Sequence, residues 1–256
     1  MPKDAPLHIT YCGHATLLIE IDGVRLLTDP LLRSHLLHLK RIKPVPEPSH
    51  FQSLDAILIS HQHRDHLDLP SLAMFGKGMR LIIPGGMGDL LRKHGFTNIE
   101  ELVPGETRLV HGVHILSTQA RHAGSRLPFG PQIECLGFLI QGSAIVYFAG
   151  DTDLFPEMAH LAGGIDVALL PVWGWGPTLG PGHMDPLRAA RSLQLLQPRL
   201  AIPIHWGTFY PIGFNLLKPG FLKDPPHAFQ RHSARLAPDV RVQIIQPGGS
   251  FSFTRK

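Results

Sequence analysis

Residues 54–66 read LDAILISHQHRDH, an apolar run that closes on Ser60 and opens directly into His61, His63, Asp65 and His66. An unbroken apolar run of this length reads as a buried strand. In extended chain, residues two apart project to the same side, so His61 and His63 face one point together. Where the chain turns out of the strand, Asp65 and His66 swing toward a second point. Three imidazoles and a carboxylate within six residues suit zinc, manganese or iron, and this borderline-soft set favours zinc. An isolated HxH is more often a histidine-rich surface loop. The full HxHxDH directly after a buried strand is much more specific.

Two metals need more donors than this motif holds, and three later positions offer them. His122 follows the apolar run Val113–Ser117, Asp151 follows Ala144–Phe148, and His205 follows Ala201–Ile204. Each stands just past the C-terminal end of a predicted strand, where a sheet gathers residues distant in sequence into one cleft. His111 and His114 compete with His122, and Asp153 competes with Asp151. His114 falls inside its strand pattern and reads as a packed or surface residue. Gly150, next to Asp151, lets the backbone come close to a metal.

The rest of the chain supplies a frame. Asp22-Gly23 between Leu17–Ile21 and Val24–Leu27 predicts a hairpin, and Gly142-Ser143 a second. Further strands are expected at Leu7–Tyr11, Ala56–Ser60, Arg80–Ile83, Gly137–Gln141, Val167–Leu170 and Val240–Ile245. Helices are expected over Leu69–Phe75, Gly88–His94, Leu154–Leu161, Pro186–Leu196 and Pro226–Leu236, with Asp185 and Asp224 as caps. The pattern fits sheets covered by outer helices, in one domain spanning residues 1–256.

Composition narrows the function. The 256 residues hold 17 histidines and a formal net charge of +4. The positive residues are scattered, with the densest stretch at Arg33–Lys43, so nucleic acid is not indicated. Cys12 and Cys135 lie far apart and form no CxxC, which excludes a disulfide framework or zinc ribbon and fits a reducing cytoplasm. The N-terminus has no secretory h-region, and no apolar run approaches the roughly 20 residues that span a bilayer. The expectation is a soluble, cytoplasmic protein.

HxHxDH, a single His, Gly-Asp-Thr and a late His after a strand, in this order, resemble the metallo-β-lactamase superfamily. The chain looks most like the branch containing L-ascorbate-6-phosphate lactonase and N-acylphosphatidylethanolamine-hydrolysing phospholipase D. That likeness rests on Gly13-His14-Ala15-Thr16, Leu27-Thr28-Asp29-Pro30, Gly182-His183-Met184-Asp185-Pro186 and Ile204-His205-Trp206-Gly207-Thr208-Phe209. The resemblance implies a four-layer αββα sandwich of mixed α/β class with two metals at one edge of the sheets. It assigns His61, His63 and His122 to one metal, Asp65, His66 and His205 to the other, and Asp151 to both. It also puts the loop carrying His183 beside the metals. Neither cysteine stands at a motif position, which counts against antibiotic hydrolysis, and His63 departs from the HxExDH of the flavodiiron oxidoreductases.

The chemistry this implies is hydrolysis of an ester-type bond, a phosphodiester or a lactone, by a hydroxide bridging two divalent metals and oriented by Asp65 or Asp151. The substrate is a small-molecule or lipid-like ester. His183 is expected to face it, hydrogen-bonding an oxygen or protonating the leaving group. Asp29 is either an orienting partner of a metal-bound histidine or a turn residue before Pro30, and His14 lies near the site or braces a loop. Arg121, Arg126 and Lys40 or Arg41 are candidate cations for a phosphate; Trp173, Trp175 and Phe209 are candidates for an apolar wall, with buried core aromatics as the default reading. A non-catalytic metal-binding protein and a nucleic-acid-processing hydrolase are the alternatives.

Overall fold

The structure, a computed structural model, describes residues 6–125, 130, 132–214 and 220–255. Arg126 and parts of the loops at 127–132 and 210–226 lie outside them. Along the described residues run β1 (Leu7–Gly13), β2 (Thr16–Ile21), β3 (Val24–Thr28), β4 (His35–Leu36), β5 (Leu39–Arg41), β6 (Ala56–Leu58), β7 (Leu81–Pro84), β8 (Ile99–Leu102) and β9 (Thr107–Val110). They continue with β10 (Val113–Gln119), β11 (Leu136–Gln141), β12 (Ile145–Phe148), β13 (Val167–Pro171), β14 (Leu200–Ile204), β15 (Phe209–Pro211), β16 (Arg241–Val242) and β17 (Ser250–Phe253). The α-helices are α1 (Leu69–Ala73), α2 (Gly88–Lys93), α3 (Pro186–Leu196) and α4 (Asp224–Leu236).

Two seven-stranded sheets form, in the orders β17-β1-β2-β3-β6-β7-β8 and β16-β14-β13-β12-β11-β10-β9. The period-two pattern decides what each face meets. Along β2, Leu17, Ile19 and Ile21 enter the core between the sheets while Leu18 points outward; along β6, Ala56 and Leu58 point in and Ile57 points out. The outward set packs against Leu72 of α1, Leu91 of α2 and Phe96. On the far side, Ala189, Ala190 and Leu193 of α3 and Phe229 of α4 cover the second sheet. The layers are therefore helix, sheet, sheet, helix, as expected.

Strand direction explains the position of the site. β10 and β12 each pair antiparallel with β11, so they run the same way. β12, β13 and β14 pair in parallel. Four strands of the second sheet thus deliver their C-terminal ends to one edge. Two backbone bonds tie the sheets together there: Leu136 N donates to Ser60 O at 2.9 Å, and His205 N donates to His14 O at 2.8 Å. A third, three-stranded sheet, β15-β5-β4, lies alongside.

The Asp22-Gly23 hairpin forms with φ of 52° and 79°, the two-residue turn that matches strand twist. Asp185 caps α3 by accepting from Arg188 N. Asp224 does not cap α4; it sits in the first turn, where its charge still opposes the helix dipole favourably. Pro156 restricts the expected Leu154–Leu161 helix to a 3-10 turn over Pro156–Leu161. The expected strand Val240–Ile245 shortens to Arg241–Val242, because the chain leaves the second sheet there to reach β17 in the first. β8, β9 and β17 escaped the sequence reading: they lie at sheet edges and carry polar residues such as Glu100, Glu101 and Ser252.

Gly150 is a close approach of the chain at this edge. It takes φ +60°, and a Cβ there would lie 2.6 Å from Ser60 Cβ and 3.0 Å from Leu136 O. Gly150→Ala is expected to destabilise the protein by about 1–3 kcal/mol. Urea unfolding should show this as a lowered midpoint at constant m.

Candidate metal centre

The motif leaves β6 through Ser60, and Asp29 at the end of β3 fixes its first residues. Asp29 is fully buried and accepts from Ser60 N at 2.7 Å and Ser60 Oγ at 2.5 Å. Its Oδ2 also accepts from His66 Nδ1 at 2.7 Å. The Ser60 hydroxyl has one proton, given to Asp29, so it accepts from His61 Nδ1 at 3.0 Å. His122 Nδ1 donates to Gly182 O, and His205 Nδ1 donates to Trp173 O, each at 2.8 Å. These four rings therefore turn Nε2 inward, and His61, His122 and His205, whose pKa values are lowered, do so with its lone pair free.

The inward atoms crowd one another. His66 Nε2 lies 3.2 Å from His205 Nε2, and His122 Nε2 lies 3.0 Å from His63 Nδ1. Asp151 Oδ2 is 3.1 Å from His66 Nε2, and its Oδ1 is 3.3 Å from His205 Nε2. His61 Nε2 and Asp151 Oδ1 are buried without a hydrogen-bond partner. Donor atoms of His61, His63 and His122 fall within 4.8 Å of one another, as do those of His14, Asp65, His66 and His205. Buried polar atoms left without a partner, as His61 Nε2 and Asp151 Oδ1 are, are unfavourable unless a cation answers them. The donor set therefore fits two metal ions.

The electrostatics agree. Burial holds the His122 pKa down at about 4 and that of His205 at about 3, and keeps His61 and His63 below the usual range as well. All four imidazoles are therefore neutral near pH 7, the form a metal ligand requires. Burial alone would raise Asp65 and Asp151. The rings of His66 and His14 outweigh it at Asp65, and those of His205 and His66 outweigh it at Asp151, so both stay well below the carboxylate range. Burial would lower His66, yet Asp151 and Asp65 hold it well above the imidazole range.

A sequence profile of the beta-lactamase superfamily domain matches residues 24–206. The chain belongs to the metallo-β-lactamase superfamily. A metal-dependent hydrolase of Methanopyrus kandleri is 32% identical across 96% of this chain and 99% of its own. The mitochondrial N-acyl-phosphatidylethanolamine-hydrolyzing phospholipase D of Saccharomyces cerevisiae is 35% identical over 84% of this chain, which spans half of that protein. A metallo hydrolase of the archaeon Ignicoccus hospitalis superposes with a TM-score of 0.73 at 25% identity, covering 98% of this chain and 100% of its own.

In this metallo-β-lactamase fold a cavity of about 520 Å³ opens beside the donors, lined by His63, Asp65, Asp151, His183 and His205 on one side. The loop after β13 forms the other side, with Trp175, Pro177 and Leu179 as its apolar residues. His183 Nε2 lies 3.4 Å from Asp151 Oδ2; burial would lower its pKa, but Asp151 raises it to about 9. The structure separates the competing residues: His114 is exposed on β10, His111 pairs with Asp55, and Asp153 pairs with Arg188 at 2.6 Å.

Several expectations change. Phe209 packs with Leu31, Leu36 and Leu39, and Trp173 anchors its loop by donating to Gly176 O, so only Trp175 of the three aromatics lines the cavity. Arg41 is buried and holds the carbonyls of Leu31 and Cys12, while Arg121 pairs with Glu157 outside the cavity. Lys40 is an exposed residue of β5 that does not line the cavity. Arg64, which does, was passed over; the available signal was its place inside the ligand motif. His14 is a site residue, its Nε2 3.1 Å from Asp65 Oδ2. Asp29 proves to be an orienting carboxylate. Asp29→Asn should leave the fold intact but weaken metal binding about 10–100-fold, measurable by competition with a chromogenic zinc chelator.

Proposed function

We propose that this protein is a dinuclear metal-dependent hydrolase that cleaves an ester-type bond, a phosphodiester or a lactone, in the cavity beside His183. The observation that carries the reading is two donor clusters, with Asp151 reaching His66 and His205 on one side and His183 on the other, opening onto one cavity. His61, His63 and His122 hold one ion; Asp65, His66 and His205 hold the other; Asp151 serves both. The mixed nitrogen and oxygen donors favour zinc, with manganese or iron as substitutes. When bound, two such ions supply Lewis acidity and bring the pKa of a water toward neutrality.

The chain's own residues supply the rest. Asp65 and Asp151, held ionised, orient the attacking water. His183 faces the cavity and donates a proton to the leaving oxygen. The wall of Trp175, Pro177 and Leu179 excludes water and accepts an apolar part of the substrate. This supports a small-molecule or lipid-like ester, and the yeast relative, whose name describes hydrolysis of N-acyl-phosphatidylethanolamine, lends further support. Many arginines are taken up in ion pairs, Arg80 and Arg108 with Glu100 and Arg92 with Glu101 among them, which argues against a nucleic-acid track. Among the described residues no helix is long and apolar enough to cross a membrane.

Protein purified without chelator is expected to contain about two metal equivalents. Elemental analysis of Asp151→Ala should show metal lost and turnover abolished, whereas His114→Ala should keep both; identical behaviour of the two variants would overturn the choice of ligands. His183→Gln is expected to reduce turnover by roughly 10²–10⁴-fold at full metal content and unchanged melting temperature. Metal loss in that variant would make His183 a ligand instead.

A further inference from the structure

Arg64 stands between His63 and Asp65, in a turn fixed by His66 N donating to His63 O at 3.1 Å and Leu67 N donating to His63 O at 2.7 Å. Its side chain lines the cavity, where it is the one arginine or lysine among the described residues. Elsewhere arginines answer acids: Arg33 meets Asp68, Arg121 meets Glu157 and Arg188 meets Asp153. Arg64 makes no ion pair or side-chain hydrogen bond with any described residue. The only carboxylates of the cavity wall are Asp65 and Asp151, and both belong to the donor clusters. Trp175, Pro177 and Leu179 line the same cavity and supply its apolar surface.

A permanently charged, forked donor lining the cavity, with no ion-pair partner among the described residues, matches an oxyanion brought by the substrate. We propose that Arg64 is a specificity residue that selects substrates carrying a carboxylate or phosphate outside the bond to be cleaved, joined to the reacting group by a short apolar segment. That segment lies on Trp175 and Leu179 while the reacting group meets the donor clusters. The inference rests on the reading of this cavity as the substrate site of a metal centre. It adds a cationic anchor for a second group of the substrate, which neither the metals nor His183 supply.

The test is calorimetric titration of the zinc-loaded protein with alkyl hydroxamates and with hydroxamates of matching length ending in a carboxylate or a phosphonate. The hydroxamate reports the metals and the charged end reports Arg64. At one chain length the charged end is expected to tighten binding about tenfold. Arg64→Gln should abolish that gain at unchanged zinc content. Arg64→Lys should keep part of it, as a point charge without the fork. A larger gain for the phosphonate identifies a phosphate-bearing substrate, and a larger gain for the carboxylate a carboxylate-bearing one. No gain at any length, or an equal gain in wild type and Arg64→Gln, overturns the proposal. An Arg64-dependent gain in a protein that turns over no ester keeps the anion site and removes the hydrolase reading; turnover without such a gain does the reverse.

Discussion

An imidazole presents one nitrogen to a cation with its lone pair free only when the proton is committed to the other nitrogen. Around this centre the fold makes that commitment for four rings. Asp29 accepts from His66, Ser60 from His61, Gly182 from His122 and Trp173 from His205. Two of the acceptors are backbone carbonyls and two are side chains linked to each other, so the orientation of the rings rests on main-chain position more than on the ligands themselves. The converging lone pairs, the neutral histidines and the ionised carboxylates all follow from it.

That division explains what was legible beforehand. The ligand motif announces itself because a buried strand, an HxH repeat and a turn are all local patterns, and the sandwich follows from apolar runs of strand length. The remaining candidate donors, His122, Asp151 and His205, are legible because a strand end lies beside each of them. Non-local acceptors are harder to see. Nothing in the sequence says that the carbonyl of Trp173 meets His205, and Asp29 before Pro30 looks equally like a turn. Arg41 looked like a free cation until the structure buried it beneath Cys12 and Leu31. Edge strands such as β8 were hidden for the opposite reason: half their residues face water and carry charge.

The backbone is strained where the two sheets meet. His14, Asp29 and His205 all take positive φ, at 58°, 34° and 63°. For residues with a Cβ this costs energy that the surrounding bonds must offset. His205 N bonds to His14 O, and His14 N bonds to Thr208 Oγ1 at 2.8 Å. The strained residues thus brace one another across the sheets.

The loop after β13 has two duties in different parts of its structure. Its carbonyls at Trp173 and Gly182 orient two histidines, while its side chains at Trp175, Pro177 and Leu179 shape the cavity. Main chain and side chain can therefore vary on separate terms during divergence. Exchanging Trp175 or Leu179 alters what the cavity admits and leaves both carbonyls where they are. Lengthening the loop by a residue shifts a carbonyl off its imidazole and releases that ring to turn. The shape of this cavity is thus open to change by substitution, whereas an insertion disturbs the carbonyls that hold His122 and His205.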